Sequence, residues 1–155
     1  MDEQFSQAYK DFMRSDEAKG LQALWVPGVG DFIWCGEQGF YGLWIIVPRS
    51  EDNSPFGLAG LDHSGFFGVF SDLDELRPFV RGIGVWLPSL SQLLGIIEGA
   101  GWDWKAERYH TRVSSQARYW VYAQNHALEL YEDEICTDVM LAAAKVAARA
   151  VEGKG

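Results

Sequence analysis

The sequence predicts an α+β protein, and three observations carry that prediction. A helix start with its own capping residues follows Trp86-Leu87-Pro88. Strand-like segments joined by short connections occupy residues 32–47 and 102–125. An alanine-rich helical stripe closes the chain. The expected architecture is an N-terminal helix, a β-rich middle with a hairpin, and a C-terminal α–β–β–α unit. Short connections favour a mainly antiparallel sheet. The seam is expected near Trp86, giving lobes 1–85 and 86–155, or one continuous domain.

The first element follows from Phe5, Ala8, Tyr9, Phe12 and Met13, an i, i+3, i+4, i+7, i+8 stripe within residues 3–14. Ser15, with Asp16 and Glu17 behind it, predicts a second short helix reaching about Leu24. Pro27, Gly28 and Gly30 end the helical region. Phe32-Ile33-Trp34-Cys35 reads as a strand, Gly36–Gly39 as a hairpin loop, and Phe40–Val47 as the returning strand. Residues 48–65 read as a long loop, either mobile or functional. Gly65–Phe70 is a further strand. Ser71 caps a helical turn that Pro78 is expected to stop.

Ser89 with Gln92 fits the capping box, in which each side chain satisfies the other's orphan backbone N–H. Leu90, Leu93, Leu94 and Ile97 form the helix's face, and Gly99 and Gly101 its stop. Trp102–His110 and Arg118–Asn125 alternate as strands, with Tyr119, Val121 and Ala123 opposed to Arg118, Trp120, Tyr122 and Gln124. His126–Tyr131 reads as a short third strand. The last helix is expected over Glu134–Val151, with Ile135, Val139, Ala142, Ala143, Val146 and Ala147 buried.

Composition narrows the functional classes. A formal charge of −9 disfavours binding to nucleic-acid phosphates. The acidity is lopsided: residues 1–75 hold 13 acidic and 4 basic side chains, and residues 76–155 hold 9 of each. The N-terminus lacks an apolar signal core and no window is apolar enough to span a bilayer, so a cytoplasmic location without membrane contact is expected. Aromatics reach 14%, enough for a substantial core at 155 residues.

Two motifs, Trp25-x-Pro27-x-Val29-Gly30-Asp31 and Trp86-Leu87-Pro88-x-x-x-Gln92-Leu93, together resemble those of a group of uncharacterised phage and prophage proteins. Residues 88–151 resemble the small phage domain built as an alpha-beta-alpha sandwich. The resemblance implies a mobile-element origin and an accessory role. It carries no catalytic motif, so no site residue transfers.

Chemistry-bearing residues are sparse in pattern. Cys35 and Cys136 lie far apart, without a Cys-x-x-Cys pair or a local histidine partner, and read as structural. Glu132-Asp133-Glu134 with Asp138 could attract a divalent cation, but acids at a helix N-terminus are what its dipole favours. No metal or other cofactor is expected. Lys105, Arg108, His110, Arg112 and Arg118 form the one basic cluster, with Trp120 and Tyr122 nearby; a solvated hairpin face is preferred over a single-strand binder.

The favoured reading is a non-enzymatic, phage-type interaction protein with a protein partner. Its surface is expected around Trp25, Asp31, Trp34, Phe40, Trp44 and Phe67, if these aromatics prove exposed together. The alternative is a small hydrolase with a site at the His63 loop and neighbouring carboxylates. A weaker one is an acidic mimic of nucleic acid that inhibits a DNA-acting enzyme.

Overall fold

The computed structural model describes residues 5–36, 41–48, 56–61, 66–70, 72–110, 117–126, 130–136 and 138–153. For 66–69, 83, 109–110, 117, 130–131, 136 and 153 it describes the backbone only. The fold is α+β, with helices and antiparallel sheets and a helix near each end. Two compact units make up the chain: Met1–Ala23 with Pro88–Gly155, and the intervening Leu24–Leu87.

In the first unit, α1 (Gln7–Arg14) starts at Ser6, whose hydroxyl accepts from the Tyr9 backbone N–H at 3.1 Å. Phe5, Tyr9, Phe12 and Met13 are buried as the stripe predicts, whereas Ala8 is exposed. A 3₁₀ turn over Asp16–Ala18 leads into α2 (Lys19–Ala23). The expected Ser15 side-chain cap does not form. Its hydroxyl instead donates to the Phe12 carbonyl at 2.5 Å, an acceptor that the Ser15 backbone N–H also reaches at 3.0 Å.

The capping box forms as expected and opens α4 (Leu90–Gly99): the Gln92 N–H donates to Ser89 Oγ, and the Ser89 N–H to Gln92 Oε1. The strands β6 (Asp103–His110), β7 (Ala117–Asn125) and β8 (Leu130–Cys136) form an antiparallel sheet in that order. Then α5 (Val139–Gly153) packs on β7 and β8 and also meets α1, α2 and α4. Its buried alanines at 142–144, 147, 148 and 150 let those neighbours approach closely.

The end of the chain departs from expectation. The third strand lies at Leu130–Cys136 rather than 126–131, and the last helix starts at Val139 rather than 134. The acids at 132–134 belong to a strand, not a helical first turn. The cap is Asp138, whose Oδ1 accepts from Met140 N at 3.0 Å and Leu141 N at 3.4 Å. Ser6 Oγ donates to the other Asp138 oxygen, so one carboxylate joins the starts of α1 and α5. Beside them Tyr9 is fully buried, its hydroxyl donating to the Pro88 carbonyl at 2.6 Å. Burial and the negative charge of Asp138 push the Tyr9 phenol well above its ordinary pKa.

In the second unit, β1 (Phe32–Cys35), β2 (Gly42–Pro48), β3 (Phe56–Gly60) and β4 (Phe66–Phe70) run as an antiparallel meander. The helix α3 (Leu73–Ile83) then returns the chain to β5 (Gly84–Leu87), which pairs with β1 on its free side. The order is β4-β3-β2-β1-β5.

Two sequence expectations are corrected here. Residues 48–65 are not all loop, because Phe56–Gly60 pairs with both β2 and β4 despite its glycines. Pro78 does not stop α3 but lies inside it. Both Pro78 and Asp74, whose carbonyl loses its i+4 donor, are exposed, so water can satisfy that carbonyl. Asp72 caps the helix by accepting from Glu75 N at 3.0 Å.

The unit boundaries also differ from lobes 1–85 and 86–155. The chain does change units between Leu87 and Pro88, close to the expected seam, but the N-terminal helices belong with the C-terminal half. Their apolar stripe packs on α5, a long-range contact that local pattern does not encode.

Candidate functional site

The residues singled out as an interaction surface are mostly interior. Trp25 is 2% exposed, Trp34 4%, Trp44 5% and Asp31 7%. Trp25 stacks on Trp86 with ring centroids 6.2 Å apart and donates its indole N–H to Asp31 Oδ2 at 2.9 Å. The same oxygen accepts from Gly28 N at 2.9 Å. Gly30, at φ +95°, turns the chain so that its N–H reaches the Ile46 carbonyl at 2.8 Å. The Trp25-x-Pro27-x-Val29-Gly30-Asp31 motif is thus a knot that fixes the entry into β1. Large rings bury far more area than small side chains, which draws them inward in a unit of this size. Phe40 and the side chain of Phe67 lie outside the described residues. What this loop presents outward is Val26, 73% exposed, with Val29.

Of the other sequence candidates, only some fall on described side chains. Cys35 is buried in β1, and the Cys136 side chain lies outside the described residues. His63, whose loop with neighbouring carboxylates is the alternative hydrolase site, also lies outside them. Among the described residues no group of three His, Cys, Asp or Glu side chains could hold a metal ion. The acids near the last helix are taken up within the unit. Glu134 Oε2 meets Arg149 Nη2 at 2.8 Å and its Oε1 meets Lys145 Nζ at 3.6 Å, while Glu132 lies 3.9 Å from Arg149 Nη1.

Those ion pairs fix which face of the three-stranded sheet meets α5. Glu134 pairs with Val121 and Glu132 with Ala123, and both β7 residues are fully buried. Alternation then places Trp120, Tyr122, Asp133 and Ile135 on the opposite face, with Lys105 and Glu107 of β6 beside them. There Ile135, expected in a buried helical stripe, is 47% exposed on β8.

This open face is the candidate site. Trp120 and Tyr122 lie 4.5 Å apart between ring centroids at its centre. The Trp120 indole donates to Asp133 Oδ2 at 3.0 Å, and Lys105 sits 3.1 Å from Glu107 Oε1. Hydrogen bonds to Glu107 and Tyr122 favour the Lys105 cation and raise its pKa. Each polar tip is committed to a neighbour, which fixes the rings as a preorganised apolar centre within a charged rim. That is the composition of a protein interface core.

Of the basic cluster, Lys105 and Arg118 share this face by register, whereas Arg108 alternates to the other. Arg112 and the His110 side chain lie outside the described residues. Alternation within β7 was legible in the sequence; Ile135 was missed because Glu132-Asp133-Glu134 looked like a helix start. The alternating Tyr131, Asp133 and Ile135 were the signal that could have found it.

A second feature borders the inner face. Trp104, 37% exposed, donates its indole N–H to Glu98 Oε1 of α4 at 2.7 Å. Leu90, Leu94 and Gly95 line a shallow groove on one side of it, and Gly101 and Asp103 a second on the other.

Among the described residues no helix is long and apolar enough to cross a membrane. No family model, curated protein or solved structure matches the chain.

Proposed function

We propose that the chain is a non-enzymatic interaction protein, an accessory protein of phage or prophage type, which grips a protein partner through the open face of the β6–β7–β8 sheet. The observation that carries this reading is the Trp120–Tyr122 pair beside exposed Ile135. Aromatic side chains held by their own neighbours lose little entropy on binding, and their burial supplies most of an interface's affinity. The formal charge of −9 directs the choice toward protein rather than nucleic-acid phosphates.

Affinity capture from a host lysate, run in parallel with the native chain and a Trp120→Ala/Ile135→Lys variant, tests it. The expected result is a partner captured reproducibly by the native chain and weakened on the order of thirtyfold or more by the variant. Far-ultraviolet circular dichroism shows whether the variant keeps its fold. A partner retained equally by a folded variant, or no specific partner at all, overturns the reading.

A further inference from the structure

Among the described residues the strand β6 is the terminal strand of its sheet, and residues 103–108 are all exposed. Such an edge offers unpaired backbone N–H and C=O groups to any strand that can align with it. We propose that β6 pairs antiparallel with β6 of a second copy of this chain, centred on Ala106, so that two three-stranded sheets join about a twofold axis.

Register carries the argument. A twofold axis normal to the sheet keeps both helical layers on one side. Residues facing one another must then share a face, so the axis passes through a residue position rather than between two. An axis on Lys105 sets Lys105 against its own copy and Asp103 against Glu107. An axis on Glu107 opposes two glutamates, and one on Arg108 opposes two arginines. Each of these places like charges directly across the ladder, which is destabilising.

The register centred on Ala106 avoids all of them. Lys105 then faces Glu107 of the second copy on the open side, twice by symmetry. On the helix side Trp104 faces Arg108 of the second copy, again twice. Trp104 is exposed enough to offer its ring to a guanidinium. Ala106 at the axis carries the smallest apolar side chain of the strand, which suits a close approach. Lys105 and Glu107 already pair within one strand at 3.1 Å, so their exchange between copies replaces like with like. Alternating charge on an edge usually repels foreign strands; here it excludes every long register except the self-complementary one.

This inference goes beyond the proposed partner binding and does not depend on it: the open face can bind a partner as a monomer, and the edges can pair with no partner present. It is tested by sedimentation velocity on the full chain over a concentration series at low salt. A concentration-dependent monomer–dimer equilibrium is expected. Lys105→Glu and Glu107→Lys, each alone, oppose like charges at both contacts and raise the dimer dissociation constant by about tenfold or more. Glu107→Gln gives a smaller loss. An equimolar mixture of the Lys105→Glu and Glu107→Lys chains restores the dimer as a heterodimer, because two carboxylates then face two ammonium groups. A native chain that stays monomeric into the submillimolar range overturns the proposal. So do single variants that dimerise as the native chain does, or a mixture that remains monomeric.

Discussion

The two sheets use the same kinds of side chain in opposite ways. In β1, consecutive Ile33, Trp34 and Cys35 are all buried, and in β2 so are Leu43 and Trp44. Neighbours along a strand point to opposite faces, so the five-stranded sheet is covered on both sides there. Among the described side chains of β7 only Val121 and Ala123 are fully buried, while Trp120 and Tyr122, which alternate with them, stay partly open. A tryptophan is therefore core in one sheet and surface in the other. What decides is the number of covered faces, not the residue type.

The comparison breaks most severely where a core ring is removed. Trp86→Ala deletes the ring that stacks on Trp25 and should cost about 3–5 kcal/mol in chemical denaturation. Gly84→Ala comes next. A Cβ there would lie 2.2 Å from the Trp34 carbonyl oxygen and 2.9 Å from Cys35 Sγ, so β5 must shift against β1. A loss of about 1–3 kcal/mol is expected, measured the same way.

At alkaline pH the first unit should weaken through Tyr9. Its folded pKa is raised by burial and by Asp138, while the unfolded phenol titrates near pH ~10. Below that pH both states keep the proton and Tyr9 adds no slope. Above it only the unfolded state releases the proton, and stability falls by up to about 1.4 kcal/mol per pH unit. Comparing the native chain with Tyr9→Phe in urea melts across this range isolates the effect, because the phenylalanine variant lacks that share of the slope.

Ser89→Ala removes the hydroxyl that accepts from Gln92 N and should cost about 1 kcal/mol, with α4 fraying first in amide exchange. Trp120→Ala should change stability by about 0.5 kcal/mol or less, since the ring covers an open face. A loss as large as that of Trp86→Ala would mean that the two sheets do not differ as described.

The features legible in the sequence share a cause. The Ser89–Gln92 capping box, the strand Phe32–Cys35 and the parity of β7 depend on residues within a few positions of one another. The candidate surface was legible only in part for the same reason. Trp120 and Tyr122 were placed on one strand face, but whether that face was covered depended on distant α5. The Trp25–Asp31 motif stood out clearly, yet its indole–carboxylate bond makes it a scaffold for β1 rather than a contact surface.

By itself the sequence determined the α+β class, the capped start of α4, the alternation of the hairpin strands and the alanine-rich final helix. Local hydrogen bonding and side-chain period suffice for these. Only the tertiary structure decided that the N-terminal helices join the C-terminal unit, that Phe56–Gly60 is a strand, that Pro78 sits within α3 and which tryptophans are buried. Each of these depends on long-range packing or pairing, or on whether water reaches an unpaired carbonyl, and neither is written in the spacing of nearby residues.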